Sequence, residues 1–245
     1  MRTKIIAEIG TLHHSEGLEW NLAVVKQCFE AGADMVKTQM INPRTAYWAG
    51  EKAMARYRDH ERAGWGYTGL AQGRWHNFFD QANKIGPTFA SIFDEVFMAG
   101  DMDDFVPAWK VGYKGIFLPR VLQAMCGVRN PVIISLTSED EALRVLPVPL
   151  LCQPRLFVQP EYPTRNIVIP VDGGFSGYSI HHKNWIVMDA VFALQPKYVE
   201  LHVMGPGAVG PDTEFALTIE QLRFVCNYTR NGTRSTDSDA ISASS

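Results

Sequence analysis

Between Tyr178 and His202 the chain states one pattern twice, on either side of a helical spacer. Tyr178-Ser179-Ile180 is a short apolar run that stops at His181, and Tyr198-Val199-Glu200-Leu201 is another that stops at His202. The spacer, Asn184–Leu194, carries Trp185, Met188, Val191 and Phe192 on one helical face. Strand, helix, strand over this length predicts a βαβ unit. Its crossover sets two neighbouring strands parallel, with both C-terminal ends at the same edge. Two imidazoles delivered to that edge can share one metal ion, and neutral imidazole is the commonest protein metal ligand. A single histidine at a strand end equally well makes a hydrogen bond there; the matched pair is what points to an ion.

The same alternation runs through most of the chain. Strand character is predicted at Lys4–Ile9, Met35–Gln39, Pro87–Ile92, Ala108–Gly112, Pro131–Leu136 and Arg155–Gln159. Helical periodicity falls at Leu18–Ala31, with Leu22, Val25 and Phe29 as its apolar stripe and Gly32 as its stop. It recurs at Arg74–Lys84, Glu95–Phe105, Leu118–Cys126, Ser138–Leu146 and Thr218–Tyr228. Ser138 and Glu141 form a capping-box pattern. Two connections are irregular: the arginine-rich segment 42–72, and 162–174, a crossover holding proline and glycine where a helix has shrunk. About eight strand-plus-connection units predict a closed (β/α)8 TIM barrel of the α/β class as a single domain over residues 1–229. Residues 230–245 are mainly Ser, Thr, Asn, Asp and Gly without apolar anchors, and are expected to form a disordered tail.

Charge and cysteine usage narrow the function. The 245 residues carry 23 Lys and Arg against 26 Asp and Glu, a net charge of −3, which argues against a general footprint for nucleic acid or an anionic membrane. No apolar run reaches the length of a membrane span, and the basic start is followed at once by Glu8, so neither a membrane segment nor a signal peptide is expected. Cys28, Cys126, Cys152 and Cys226 stand far apart in sequence and read as reduced thiols of a cytoplasmic protein.

In a barrel of this kind chemistry sits at the C-terminal ends of the strands. The polar residues at those positions are Glu8, Lys37 with Gln39, Ser91 with Asp94, Lys110, Ser135, Gln159 with Tyr162, Ser179 with His181, and Glu200 with His202. Any one could be a satisfied polar group, but buried Lys and Glu are costly unless paired or bound to something. Two lysines with three serines suit a phosphate or carboxylate, each charge-assisted hydrogen bond contributing roughly 1.5–3 kcal/mol. Two histidines half-fill a divalent-ion site and leave positions for water or a carbonyl oxygen. Glu8 and Glu200 are placed to act as acid, base or outer partner. Together they describe metal-assisted carbonyl chemistry on a substrate that bears an anion.

These residues, in this order, resemble the sialic acid synthase family, which condenses phosphoenolpyruvate with an amino-sugar aldehyde. The resemblance covers residue 4 to about 222. It is carried by Ala7-Glu8-Ile9-Gly10 with His13, by Gly32-Ala33-Asp34-Met35-Val36-Lys37-Thr38-Gln39, by Ser91-Ile92-Phe93-Asp94 and by Trp109-Lys110-Val111-Gly112. It continues through Val132-Ile133-Ile134-Ser135, Tyr162-Pro163, Gly177-Tyr178-Ser179-Ile180-His181, Glu200-Leu201-His202 and Gly210-Pro211-Asp212. Each motif is short; their order is what makes the set specific.

The resemblance implies a divalent ion, typically Mn2+, on His181 and His202. It implies phosphoenolpyruvate against Lys37, Ser91, Lys110, Ser135 and Ser179, and an aldehyde near Gln39, Tyr162 and Asp212, with Asp94 also at the substrates. C3 of the enol attacks the aldehyde, water adds at C2, and phosphate leaves by C–O cleavage; Glu8 is the candidate acid, base or water-orienting carboxylate, with Tyr162 and Glu200 as further catalytic candidates.

The sequence also departs from the family. Leu12 stands for the asparagine before His13, Ile180 for the aspartate before His181, and Tyr113-Lys114-Gly115 for Ser-Gly-Glu/Asp. The C-terminal antifreeze-like domain, which supplies an arginine to the partner's site in relatives, is not expected here, and a homo-oligomer of another kind stays open. The phosphoenolpyruvate residues survive better than the aldehyde residues, so the acceptor is expected to differ from N-acetylmannosamine. Lys114 and the arginines of segment 44–62 point to an anionic or small one. Two other readings stay open: a metal-dependent aldolase or lyase that does not use phosphoenolpyruvate, and a non-catalytic barrel kept for binding or assembly.

Overall fold

Among the described residues, eight short strands follow one another in parallel: β1 (Lys4–Gly10), β2 (Met35–Met40), β3 (Thr88–Ile92), β4 (Trp109–Val111), β5 (Val132–Leu136), β6 (Leu156–Pro160), β7 (Gly177–Ile180) and β8 (Tyr198–Met204), with a two-residue ninth beside the last. The computed structural model describes residues 2–10, 17–40, 72–92, 102–136, 156–160, 177–180, 183, 185–193, 195–208 and 212–231. The strands pair in the order β6-β5-β4-β3-β2-β1-β8-β7, which is the cyclic order of an eight-stranded barrel. Between β6 and β7 the Cα atoms approach within 8 Å, but no backbone ladder joins them among the described residues. The closed barrel expected from sequence is therefore found as a curled α/β sheet, open at that seam. Pro160 at the tip of β6 has no N–H to donate and suits a strand at an edge.

The α-helices among the described residues are α1 (Leu18–Ala31), α2 (Gln72–Ile85), α3 (Pro119–Met125), α4 (Trp185–Ala193) and α5 (Ile219–Asn231). Strand residues of one parity, such as Ile5, Ala7 and Ile9 of β1 or Val199, Leu201 and Val203 of β8, join buried helix residues in the main apolar core. α1 spans the predicted residues and ends at Gly32, whose φ of 107° lets Gly32 N–H reach Phe29 O at 2.9 Å while Ala33 N–H reaches Cys28 O at 3.0 Å. That is a Schellman cap, the geometry for which glycine is the low-cost residue. The buried face of α1 is centred on Val24, Val25 and Cys28; the expected stripe residues Leu22 and Phe29 lie at its margin. Small Cys28 and Ala31 let the helix sit close to the sheet, and Phe29 lies where a side chain on Gly86 would be.

Other expectations shift more. Strand β8 runs to Met204, so His202 lies inside the strand, two residues short of its end. Of the helix expected over 95–105 only residues 102–105 are described, and they form a turn, closed by Phe105 N–H to Met102 O at 3.0 Å. Asp103 explains this: its carboxylate accepts from Trp109 Nε1 at 2.8 Å and Arg129 N at 2.7 Å, bonds that fasten this turn to the approaches of β4 and β5. Helix α5 continues to Asn231, past the expected end at Tyr228, and Arg230 Nη2 donates to Gly32 O at 2.7 Å. No helix among the described residues is long and apolar enough to cross a membrane. The helix expected over 138–146, the crossover 162–174, segment 42–72 apart from Gln72, and residues 232–245 lie outside the described residues.

Candidate active site

Side chains of the other parity point to the concave face, and a strand's period of two stacks them in tiers. The lower tier is apolar: Ile6, Phe89, Ala108 and Ile133 form one buried cluster, with Met35 and Tyr198 packed against it. Two residues further along each chain segment stand Glu8, Ser91, Lys110, Ser135, Lys37 and Glu200. Ser179 of β7 joins them, opposite Glu200 in the β7–β8 register, and His202 continues β8 opposite Glu8 of β1. The tier is almost fully closed to water: Glu8 is 0% exposed, Glu200 1%, Lys37 2%, Lys110 3% and His202 4%.

Such charges survive burial only when answered. Lys110 Nζ donates to both oxygens of Glu200, at 2.7 and 2.8 Å, and Ser179 Oγ adds a third hydrogen bond at 3.1 Å. Lys37 Nζ is paired with the Glu8 carboxylate, donates to Ser91 Oγ at 2.5 Å, and lies 3.7 Å from Glu200 Oε1. Two ammonium and two carboxylate groups thus form one network. Burial by itself would push the Glu200 carboxyl up, but Lys110 and Lys37, helped by the Lys110 hydrogen bonds, hold it well below the usual carboxylate range. Burial pushes the Lys37 ammonium down to about 7, against the pull of Glu200. Ser135 Oγ is buried on β5 and has no hydrogen-bond partner among the described residues.

Above this tier the site is set by a turn that follows β8. Phe215 N–H and Ala216 N–H both donate to Asp212 O, at 3.1 and 2.9 Å, and β9 (Leu217–Thr218) then pairs with Val203 and Met204 at the tip of β8. The turn is thereby held over His202. Asp212 Oδ2 lies 3.5 Å from His202 Nδ1, and the Phe215 ring stands edge-on to the imidazole at 4.9 Å and 90°. Gly10, at φ 35° where the β1–β2 register slips between Glu8 and Gly10, leaves room for three polar tips. A Cβ on it would lie 2.9 Å from Glu8 Oε1, 3.3 Å from Asp212 Oδ2 and 3.3 Å from Gln39 Nε2.

The described residues therefore bring together Glu8, Lys37, Ser91, Lys110, Ser179 and Glu200 in one network, with Ser135 on the same tier and Gln39, His202 and Asp212 above it. His181, Tyr162 and Asp94 lie outside the described residues. Sequence reasoning did not single out Phe215, nor the spatial role of Gly10; the slip that Gly10 relieves has no signature beyond a glycine after a strand. As donors, a buried imidazole beside a carboxylate suits a divalent ion, although no group of three or more His, Cys, Asp or Glu is poised around one point among the described residues.

No protein-family model and no curated protein matches the sequence. Solved structures do match in shape. N-acetylneuraminic acid (sialic acid) synthetase from Leptospira borgpetersenii, in complex with citrate, has a TM-score of 0.72 at 16% identity over 99% of this chain and 90% of its own. Spore coat polysaccharide biosynthesis protein spsE from Bacillus subtilis has a TM-score of 0.66 at 18% identity, over 94% of this chain and 67% of its own. Phospho-2-dehydro-3-deoxyheptonate aldolase (DAHP synthase) from Thermotoga maritima has a TM-score of 0.67 at 12% identity, over 98% and 70%. At these identities the likeness establishes a shared fold.

Proposed function

We propose that this protein condenses phosphoenolpyruvate with a sugar or sugar-like aldehyde other than N-acetylmannosamine, consuming water and giving a 2-keto-3-deoxy acid and inorganic phosphate. The observation that carries the proposal is the buried tier in which Lys37, Lys110, Ser91, Ser135 and Ser179 share one interior face with His202. The fold neighbours support it: they include proteins named sialic acid synthetase and DAHP synthase, and the first of these holds citrate, a polycarboxylate. A barrel closed between β6 and β7, in a cytoplasmic enzyme free of nucleic acid and membrane partners, belongs to the same proposal.

In this reading Lys37 and Lys110 take the phosphate and carboxylate of phosphoenolpyruvate, and the serine hydroxyls complete the cradle. Ser135, with a buried hydroxyl lacking a described partner, gains one when the anion arrives. Glu200 stays ionised and acts as counter-ion to Lys110, which leaves Glu8, level with His202, to orient the water or carry its proton. Gln39, Asp94, Tyr162 and Asp212 are assigned to the aldehyde by the family resemblance. His181 and His202 hold the divalent ion, manganese by the same resemblance; the parallel pairing of Ser179 with Glu200 and of Ile180 with Leu201 supports this assignment. When bound, that ion polarises the aldehyde carbonyl.

The test is a phosphate-release screen with manganese, phosphoenolpyruvate and a panel of aldehydes. Release that needs both phosphoenolpyruvate and an aldehyde, and is lost in Lys37→Met and Lys110→Met, is expected. Release independent of any aldehyde, or aldol cleavage without phosphoenolpyruvate, would overturn the reading. N-acetylmannosamine outperforming every phosphorylated or short aldehyde would overturn the acceptor assignment alone.

A further inference from the structure

The cradle proposed for phosphoenolpyruvate, made of Lys37, Ser91, Lys110, Ser135 and Ser179, already holds an anion of the protein's own. Glu200 reaches three of the five: Lys110 Nζ donates to both carboxylate oxygens at 2.7 and 2.8 Å, Ser179 Oγ donates to Oε1 at 3.1 Å, and Lys37 Nζ lies 3.7 Å from that same oxygen. Lys37 is further engaged by Glu8 and Ser91. Of the five, Ser135 alone has no hydrogen-bond partner among the described residues. Lys37 and Lys110 are the only buried Lys or Arg among the described residues, and Glu8 and Glu200, equally buried, match them one for one. These four charges cancel. An incoming phosphate or carboxylate therefore finds no surplus of positive charge in the tier, and meets a carboxylate that accepts from the donors it needs itself.

We infer that Glu200 is a resident competitor: its carboxylate occupies Lys110 and Ser179 in the free protein, an arriving anion must take those donors from it, and the anion affinity of the site is held down by that contest. The inference rests on the proposed reading of the tier as an anion cradle. Glu200 cannot drift away from the donors, because β8 holds it between two neighbours, paired with Ile6 of β1 on one side and Ser179 of β7 on the other. A cradle that closed every donor on its anion would hold the inorganic phosphate left by the proposed reaction as firmly as the substrate. A tethered carboxylate at the same donors is always present to take them back, so it favours release.

Isothermal titration calorimetry on the full-length, metal-free protein at pH 6 tests this with two probes, inorganic phosphate and phosphoenolpyruvate. Glu200→Gln keeps the shape and removes the charge, and is expected to bind both probes about tenfold more tightly than the parent. Glu200→Asp keeps the charge but withdraws it by one methylene, and is expected to fall between the two. Glu30→Gln makes the same change of charge at a side chain 57% exposed on α1, and is expected to leave both affinities at the parent value. Affinity in Glu200→Gln equal to or weaker than the parent's overturns the inference and makes the carboxylate a positioning group for Lys110. An equal gain in Glu30→Gln overturns it as well, by reducing the effect to net charge. Should Glu200→Gln show no cooperative unfolding in urea, Glu200→Asp decides: tighter binding supports the competitor, and unchanged or weaker binding overturns it. Tighter phosphate binding in a variant indifferent to phosphoenolpyruvate supports the competitor and instead removes phosphoenolpyruvate from the proposed function. Binding of neither probe by parent or variants overturns both.

Discussion

Replacing Lys110 by Met tests the central network in a single step. Among the described residues Lys110 supplies two of the three hydrogen bonds to the Glu200 carboxylate, at 2.7 and 2.8 Å, the third coming from Ser179 at 3.1 Å, with Lys37 more distant at 3.7 Å. Methionine fills comparable volume, so the loss is mainly electrostatic. Unit charges about 4 Å apart attract by about 4 kcal/mol at an effective dielectric of about 20. Removing one partner of a buried pair typically costs about 3–5 kcal/mol, because the other charge is left buried. For a chain of this size that corresponds to a fall in Tm of about 6–20 °C.

The cost depends on pH with a definite sign. Glu200 is held below its ordinary range, so its contribution is present above the unfolded carboxylate value of about 4.3 and is lost as pH falls below it. Without Lys110 the burial penalty takes over and the carboxyl titrates upward, so the deficit of the variant is largest near pH 7 and narrows toward pH 5. Urea denaturation at both pH values measures it, and the pair Lys110→Met with Glu200→Gln completes a double-mutant cycle. A Lys110→Met protein within about 1 kcal/mol of the parent at pH 7, with a coupling energy under about 0.5 kcal/mol, would refute the account of a buried, mutually dependent pair.

Three further outcomes are expected. Gly10→Ala meets both a φ of 35° and a Cβ position 2.9 Å from Glu8 Oε1, so it should lose about 1–3 kcal/mol in urea unfolding; a neutral result would show that β1 reshapes freely there. Lys37, with its ammonium pushed down to about 7, should take up close to one proton when phosphoenolpyruvate binds at pH 8 and almost none at pH 6. Calorimetry in buffers of different ionisation enthalpy reads this uptake, and equal uptake at both pH values would assign the proton elsewhere. Ser135→Ala should leave stability within about 0.5 kcal/mol while weakening phosphoenolpyruvate binding several-fold, since it removes a hydroxyl with no described partner in the free protein; a marked loss of stability with unchanged binding would make that hydroxyl structural.

The parts of the fold that local chemistry dictates could be read from the residues. Leu18–Ala31 is a helix stopped by Gly32 because periodicity and the left-handed cap agree, and the polar residues near the strand tips fall on one face because a strand's period is two. What escaped the sequence is long in range. Lys110 and Glu200 are 90 residues apart, and nothing near either announces that the lysine expected to await an anion already holds a carboxylate. Nor does the sequence show that His202 lies short of the end of its strand: Val203 and Met204 continue β8 because β9 pairs with them from beyond the turn. The partnership of Asp212 and Phe215 with His202 depends on that same pairing.

Ile6, Met35, Phe89, Ala108, Ile133 and Tyr198 form an apolar floor beneath the charged tier. In the proposed reaction an anion seated against Lys37 and Lys110 rests on that floor, and the aldehyde is expected on its other side, next to His202 and Asp212.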